Sequence, residues 1–168
     1  MTEPSNPWLS KPIEQEVAAP TMVASPIAPA LGPTRPQLGV PAPDQVDRLP
    51  QMTQSRPAAL WCLGVHGGAG ESSVAGLAAQ WAAAGHAWPQ LPSGQRAAVL
   101  LVARSNMRGL TAAQSAATEW AAGLVPNVDV VGLALVADAP GRLPRPLRDF
   151  AQIVAGGVPR SWRLPWIE

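Results

Sequence analysis

Residues that could do chemistry are concentrated in one glycine-rich segment, residues 66–73, of sequence HGGAGESS. A glycine-rich turn between a buried strand and a helix binds phosphate, because backbone N–H groups and the helix dipole converge on the anion. The segment has the glycines and hydroxyls of such a loop: Gly67, Gly68, Gly70, Ser72 and Ser73. Glu71, however, stands where a lysine would contact the β and γ phosphates. A carboxylate there reverses the charge at the most negative part of a nucleotide.

The cost of this reversal is comparable to the binding energy of a weak ligand. Two like charges about 4 Å apart repel by about 4 kcal/mol at an effective dielectric near 20. A millimolar ligand binds with a free energy of similar size. A carboxylate in the first turn also suits the helix dipole, so Glu71 can occupy the loop itself as a phosphate mimic. The sequence therefore predicts weak or absent nucleotide binding.

The spacing of this loop resembles the deviant Walker A motif of the ParA/MinD-like ATPases, K-G-G-x-G-K-[ST]-[ST]. In that alignment His66 and Glu71 stand at the two lysine positions, and Ala69 stands at the variable position. The resemblance covers residues 59–168 and is specific at the loop. It implies a P-loop NTPase fold with ATP or ADP and Mg²⁺ as ligands.

The same family has a further strand, carrying a Walker B aspartate, before the strand that we number second. The corresponding interval, residues 86–96, reads HAWPQLPSGQR and contains no apolar strand ending in Asp. We therefore predict no catalytic residue in this chain. The segments DAPGRLPRPLR and WRLPW also resemble an uncharacterised family of small P-loop-like bacterial proteins, which implies no particular activity.

Three other side chains are candidates for nucleotide or anion binding. Asp138 follows the third predicted strand, where a carboxylate can contact a base, a ribose or a metal, although D-A-P-G is also a turn sequence. Arg104 and Arg108 follow the second predicted strand and can reach an anion or pair with Glu71, or can remain surface arginines. His66 is better explained by structural hydrogen bonds than by general-base catalysis. Two histidines and one cysteine have no metal-ligand spacing.

The C-terminal sequence WRLPWIE indicates a partner surface. Trp162 and Trp166 are difficult to bury together in a small domain, so we expect an exposed apolar patch that binds a protein or a second copy. Arginines are frequent nearby, but Asp149 and Glu168 interrupt them, and nucleic-acid binding is not favoured.

Composition divides the 168 residues into a tail and one domain. Residues 1–57 contain 12 of the 20 prolines, which remove N–H donors and fix φ, so we predict a disordered tail, either a plain linker or a docking arm. Residues 58–168 are sufficient for one modest core. A net charge of +1 and a single cysteine exclude a strongly basic protein and a disulfide framework. With no signal peptide and no long apolar run, we predict a cytoplasmic protein without a membrane span.

The elements that must position these residues are those of an α/β fold, a small parallel sheet of about four strands with flanking helices. The predicted strands are residues 59–65, 98–103, 130–137 and 161–164. The third is apolar almost throughout and is expected to be central and buried on both faces. The predicted helices begin near residues 72, 110 and 144, and the first carries a stripe of Val74, Leu77, Ala78 and Trp81.

Together these features predict a catalytically inactive, P-loop-like domain that serves as an interaction or assembly module. The alternative is a ParA/MinD-like nucleotide-binding protein or ATPase that a partner's Arg or Lys completes in trans.

Overall fold

A computed structural model describes residues 30–166. The predicted disorder of residues 1–29 lies outside this range. Within it, the α/β class is confirmed: five parallel strands form the main sheet and helices lie on its faces. The elements are β1 (Gln51–Thr53), β2 (Leu60–Gly64), α1 (Glu71–Ala75), β3 (Trp81–Gly85), β4 (Trp88–Gln90), β5 (Ala97–Arg104), α2 (Met107–Ala121), β6 (Val128–Val136), α3 (Arg145–Ala155) and β7 (Ser161–Leu164).

The main sheet has the strand order β3-β2-β5-β6-β7. The chain moves one way from β2 to β3 and the other way from β5 through β6 to β7. Because crossovers between parallel strands are right-handed, these opposite directions put the connecting helices on opposite faces. Helix α1 lies on one face, and α2 and α3 lie on the other. The direction changes between β2 and β5, which is where ligands bind in open sheets of this kind.

The face under α2 and α3 carries most of the core. Leu63, Leu101 and Leu133 project from three neighbouring strands and are fully buried there. Trp88 and Trp120 are also fully buried in this cluster. Burial of such large side chains stabilises by about 1.5–3 kcal/mol each, so this face dominates the stability of the domain.

The first helix differs from the prediction, which had one helix extending to Trp81. Helix α1 ends at Ala75 with Gly76 as its C-cap, and Leu77 is 71% exposed. Trp81 instead begins β3 and pairs with Leu60. The residues predicted to continue the helix therefore form a turn and the edge strand β3. As a result the sheet has five strands rather than about four. Alanines between Trp81 and Gly85 fit either conformation, and pairing with β2 decides between them.

Strand β6 corresponds to the third predicted strand, which was expected to be central and buried on both faces. It is an interior strand between β5 and β7. The side chains buried under the helices are those of Val130, Leu133 and Leu135. On the other face Ala134 is 2% exposed, whereas Val131 and Val136 are half-buried. The second face is therefore buried only in part, because no full-length helix covers it.

Residues 30–57 were predicted to form no strand or helix. The structure instead places a single 3-10 turn at Gln45–Asp47 and strand β1, which pairs in parallel with β4. Leu31 N–H donates to the Pro159 carbonyl (2.8 Å) and Gln37 N–H donates to the Ala121 carbonyl (2.9 Å). Prolines limit the length of these elements, but the backbone between the prolines still forms hydrogen bonds with residues of the domain. No helix in the described range is long and apolar enough to cross a membrane.

Candidate functional site

The predicted phosphate loop joins β2 to α1, as the sequence indicates. Gly68 and Gly70 have φ values of 76° and 97°, a backbone conformation that side chains other than glycine rarely adopt. Ala69 is fully buried between them, and its N–H donates to the His66 carbonyl (3.3 Å). The loop is therefore a compact turn at the carboxyl end of β2, and Ser72 and Ser73 follow it as exposed residues of α1.

Glu71, the first residue of α1, turns its side chain back toward β2. A Cβ atom added to Gly64 would lie 2.6 Å from Glu71 Oε2, so the carboxylate is packed against the Cα of this glycine. Burial raises the pKa of the nearby Cys62 thiol to about 11, and the negative charge of Glu71 contributes to the rise. Among residues 30–166, Glu71 forms no ion pair. The charge that replaces the lysine therefore lies at the base of the loop without a cation beside it.

Arg104 reaches the loop but does not neutralise Glu71. Its Nε donates to the Gly68 carbonyl (3.2 Å) and its Nη1 donates to the Ala137 carbonyl (2.9 Å). The guanidinium thus bridges the loop and the end of β6. Of the alternatives that the sequence left open, pairing of Arg104 with Glu71 is not observed, since carbonyl oxygens are the partners of the guanidinium.

His66 is held by two hydrogen bonds. Its Nδ1 lies 2.9 Å from the Gly67 carbonyl and its Nε2 accepts the backbone N–H of Arg104 at 3.0 Å. These partners require the neutral tautomer with its proton on Nδ1. Both ring nitrogens are used and the side chain is 7% exposed, so His66 ties the loop to β5 and has no nitrogen free for proton transfer.

Arg108 lies away from Glu71, in the first turn of α2. It borders a cavity of about 410 Å³ together with His66, His86, Thr111 and Ser115. His86 Nδ1 lies 2.6 Å from the Gly64 carbonyl, so both histidines hold the backbone around the end of β2. Arg108 therefore shares a cavity with His66 at the start of the loop, but the glycines of the loop and Glu71 do not line that cavity. No sequence motif marked His86.

Asp138 lies beyond the end of β6, on the far side of Ala137 from the loop. Its backbone N–H donates to Ser105 Oγ (3.2 Å) and its side chain is exposed. It borders a larger cavity, of about 630 Å³, whose other charged lining residues are Arg142, Arg148 and Arg163. Arginines are frequent in this part of the sequence, but the sequence does not indicate that three of them line one cavity.

Trp162 and Trp166, the predicted partner residues, are 44% and 42% exposed. Trp162 lies on the α1 side of the sheet, in register with Ala134, and Leu164 follows on the same side. A groove of about 240 Å³ separates α1 from β7. Its apolar lining is Val74, Leu77, Val136, Leu164 and Trp166. We call the β6 and β7 part of this side, together with the groove, the open face.

Within the described range, no three His, Cys, Asp or Glu side chains cluster as a metal site would require.

The chain belongs to a family of unknown function, DUF6668, whose model matches residues 58–168. Membership of an uncharacterised family is therefore confirmed, while the likeness to ParA/MinD-like ATPases stays a prediction. Comparison with curated proteins and with solved structures finds no match.

Proposed function

We propose that residues 58–168 form a P-loop-like domain that does not hydrolyse nucleotide and that binds a protein partner, or a second copy, through the open face. The observation that carries this proposal is the exposure of large apolar side chains there. Leu77 and Trp166, which line the groove, are 71% and 42% exposed, and Trp162 on the same side of the sheet is 44% exposed. Exposed patches of this kind mark interaction sites on soluble domains.

The topology explains why this side of the sheet is bare. Two crossovers run toward β7 and carry α2 and α3, with 15 and 11 residues, on the other side. Only one crossover runs toward β3, and its helix has five residues. Helix α1 covers β2 and β3 but leaves β6 and β7 without a helix above them. Within residues 30–166, only side chains such as Trp162 and Leu164 cover this part of the sheet, so an element from a partner can complete the layer.

The groove has the features of an interface anchor site. A buried tryptophan at a protein interface contributes about 2 kcal/mol or more when it is a hot spot. Trp166 and Leu77 line the groove together with Val136 and Leu164. An apolar side chain inserted there would displace water from both walls, which favours association.

The phosphate loop supports the absence of catalysis. Glu71 lies against Gly64 with no cation paired to it among the described residues, so a bound phosphate would meet an uncompensated charge. At about 4 Å that repulsion is about 4 kcal/mol. The loop keeps its glycine conformation while its charge opposes the ligand.

Sedimentation velocity over a range of concentrations tests the partner surface. Wild-type protein is compared with Trp166→Ala and Leu77→Ser, and with Ile153→Ser as a matched control, because Ile153 is 67% exposed on the outer side of α3. We expect the first two variants to fold normally and to lose association, and the control to behave as wild type. For a partner other than a second copy, a photocrosslinking residue at position 77 or 153 provides the same comparison.

If Trp166→Ala unfolds the domain, Trp166 is a core residue and the proposed interface is lost. If all three variants associate like wild type, the open face is not the interaction surface.

Nucleotide binding completed in trans is the second candidate function. The loop conformation favours it, because Gly68 and Gly70 keep the positive φ of a glycine-rich turn, and a partner's Arg or Lys can supply the cation that the loop lacks. Thermal unfolding in the presence of Mg²⁺ and increasing ADP or ATP distinguishes the two candidate functions, because only nucleotide binding raises the melting temperature. A ligand at 100 times its Kd stabilises by about 2.7 kcal/mol, which a melting curve resolves.

A further inference from the structure

We propose that the cavity enclosed by the 138–144 loop, the first turn of α3 and strand β7 binds a small organic anion with an apolar body. This site is separate from the phosphate loop and does not include Trp162 or Trp166. Its volume of about 630 Å³ lies within the usual range for small-molecule sites. It opens at the carboxyl ends of parallel strands, where ligands of α/β sheets gather.

The charge of the lining selects an anion. Arg142 from the loop, Arg148 from α3 and Arg163 from β7 border the cavity, with Asp138 as the one carboxylate among its lining residues. In the described part of the chain, none of these three guanidinium groups forms a hydrogen bond or an ion pair. Three unpaired cations around one concave space favour a group with several anionic oxygens, a phosphate or a carboxylate.

Convergence on one cavity distinguishes these three arginines from the others in the described chain. Arg145, three residues before Arg148, lies 3.7 Å from Asp149 and is not among the residues that line the cavity. Three more arginines form no side-chain hydrogen bond or ion pair within residues 30–166 but do not line this cavity either, namely Arg35, Arg56 and Arg108. The anion site is therefore inferred from three unpaired cations around the same space, and not from the lack of a partner alone.

The leucines that line the cavity favour a ligand with an apolar portion, because contact with such a portion removes apolar surface from water. Leu135, Leu143, Leu147 and Leu164 border the same space. Leu135 is the register partner of Arg163, so adjacent strands place an apolar and a charged side chain side by side. Helix α3 also begins here, and no side chain caps its first N–H groups. Its dipole adds to the attraction for an anion next to Arg148.

Phenyl phosphate is a probe that combines both features, and inorganic phosphate and phenol are its two separate parts. Isothermal calorimetry at low salt should show phenyl phosphate binding more tightly than either part, because only the whole probe uses the guanidiniums and the leucines together. Raising the ionic strength should weaken binding, since these charges are solvent-accessible.

Single substitutions Arg142→Gln, Arg148→Gln and Arg163→Gln should each weaken phenyl phosphate binding about tenfold, the loss of one hydrogen bond to a charged group. Arg145→Gln is the matched control and should leave the affinity within about twofold, because an exposed ion pair like that with Asp149 contributes little. Arg148→Lys, which keeps the charge, should retain part of the affinity. Melting temperatures of all variants verify the fold.

No binding of phenyl phosphate at millimolar concentration overturns the proposal. An equal loss of affinity in Arg145→Gln overturns it as well, because the effect would then be one of general charge. If affinity falls in Ser73→Ala and not in the three arginine variants, the anion binds at the phosphate loop instead and the cavity assignment is wrong.

Discussion

At the scale of single residues, Glu71 sets the charge of the predicted phosphate loop. The loop is a glycine turn with φ values of 76° and 97° at Gly68 and Gly70, and the Glu71 side chain packs against Gly64. The sequence alone could locate this turn between β2 and α1, because glycine spacing is a strong local signal. It could not show where the carboxylate points, because side-chain direction depends on the space left over β2.

Glu71→Lys should create or strengthen binding of Mg²⁺-ATP, since it replaces repulsion by attraction at the phosphates. Glu71→Gln should have an intermediate effect, because it removes the repulsion of about 4 kcal/mol without adding a cation. Calorimetry on the two variants and the parent measures this series. If the lysine variant has no affinity for ATP, the loop is not shaped for phosphate at all.

Cys62 should react with iodoacetamide much more slowly in the folded protein than in urea. Burial, with Glu71 nearby, raises the pKa of the folded thiol from 9.0 to about 11, so the reactive thiolate is scarce at pH 8. The stability that this shift contributes is present below pH 9 and is lost as the pH rises toward 11. Alkylation rates and urea midpoints measured across this pH range check both statements. Equal rates in the folded and unfolded protein would show that the thiol is not protected.

At the scale of elements, the sequence predicted best where periodicity was long. Helices α2 and α3 and the strands before and after them lie close to their predicted bounds, because many residues contribute to each pattern. Strand β3 was missed because Val74, Leu77 and Ala78 continue a helical spacing across Gly76 up to Trp81. Pairing between Trp81 and Leu60 joins segments 21 residues apart, and a local pattern carries no information about it.

Glu119 connects α2 to two other parts of the fold, a role that the sequence did not indicate. It lies in α2 with 2% exposure, and its Oε2 accepts the backbone N–H of Leu49 (3.1 Å) and Trp88 Nε1 (3.0 Å). It thereby links the helix to the N-terminal segment and to β4. A glutamate within a helix is normally expected on the solvent side, so no pattern pointed to this role.

Glu119→Ala should lower the free energy of unfolding by about 3 kcal/mol, because two hydrogen bonds are lost and a buried indole N–H is left without an acceptor. Glu119→Gln should cost less, since its amide oxygen can accept the same two bonds. Urea unfolding monitored by tryptophan fluorescence compares the two. Equal stability of Glu119→Ala and the parent would mean that these bonds contribute nothing net.

At the scale of the whole molecule, the described N-terminal residues pack against the domain. Residues 30–57 contact residues 58–166 through Leu31, Gln37, Leu49 and strand β1. A protein that begins at residue 58 should therefore melt at a lower temperature than one that begins at residue 30. Calorimetric melting of the two truncated proteins is the measurement. Identical melting temperatures would show that these contacts contribute nothing net to the stability of the domain.

The purified full chain should also show no ATPase or GTPase turnover above background. If the resemblance to a Walker A motif holds, His66 and Glu71 stand at its two lysine positions, and His66 is engaged in hydrogen bonds with the backbone. A phosphate-release assay with each nucleotide and Mg²⁺ measures the rate. A reproducible turnover that depends on the loop residues would contradict the inactive domain proposed here.

The bond between Leu31 and the Pro159 carbonyl has a consequence for the order in which the chain folds. Its two partners are 128 residues apart, so the bond closes a loop that contains every strand except β7. Closing so long a loop costs chain entropy, and contacts of such sequence separation slow folding. During synthesis Leu31 lacks this native partner until Pro159 has emerged from the ribosome, whereas hydrogen bonds within α2 can form as soon as that helix is exposed.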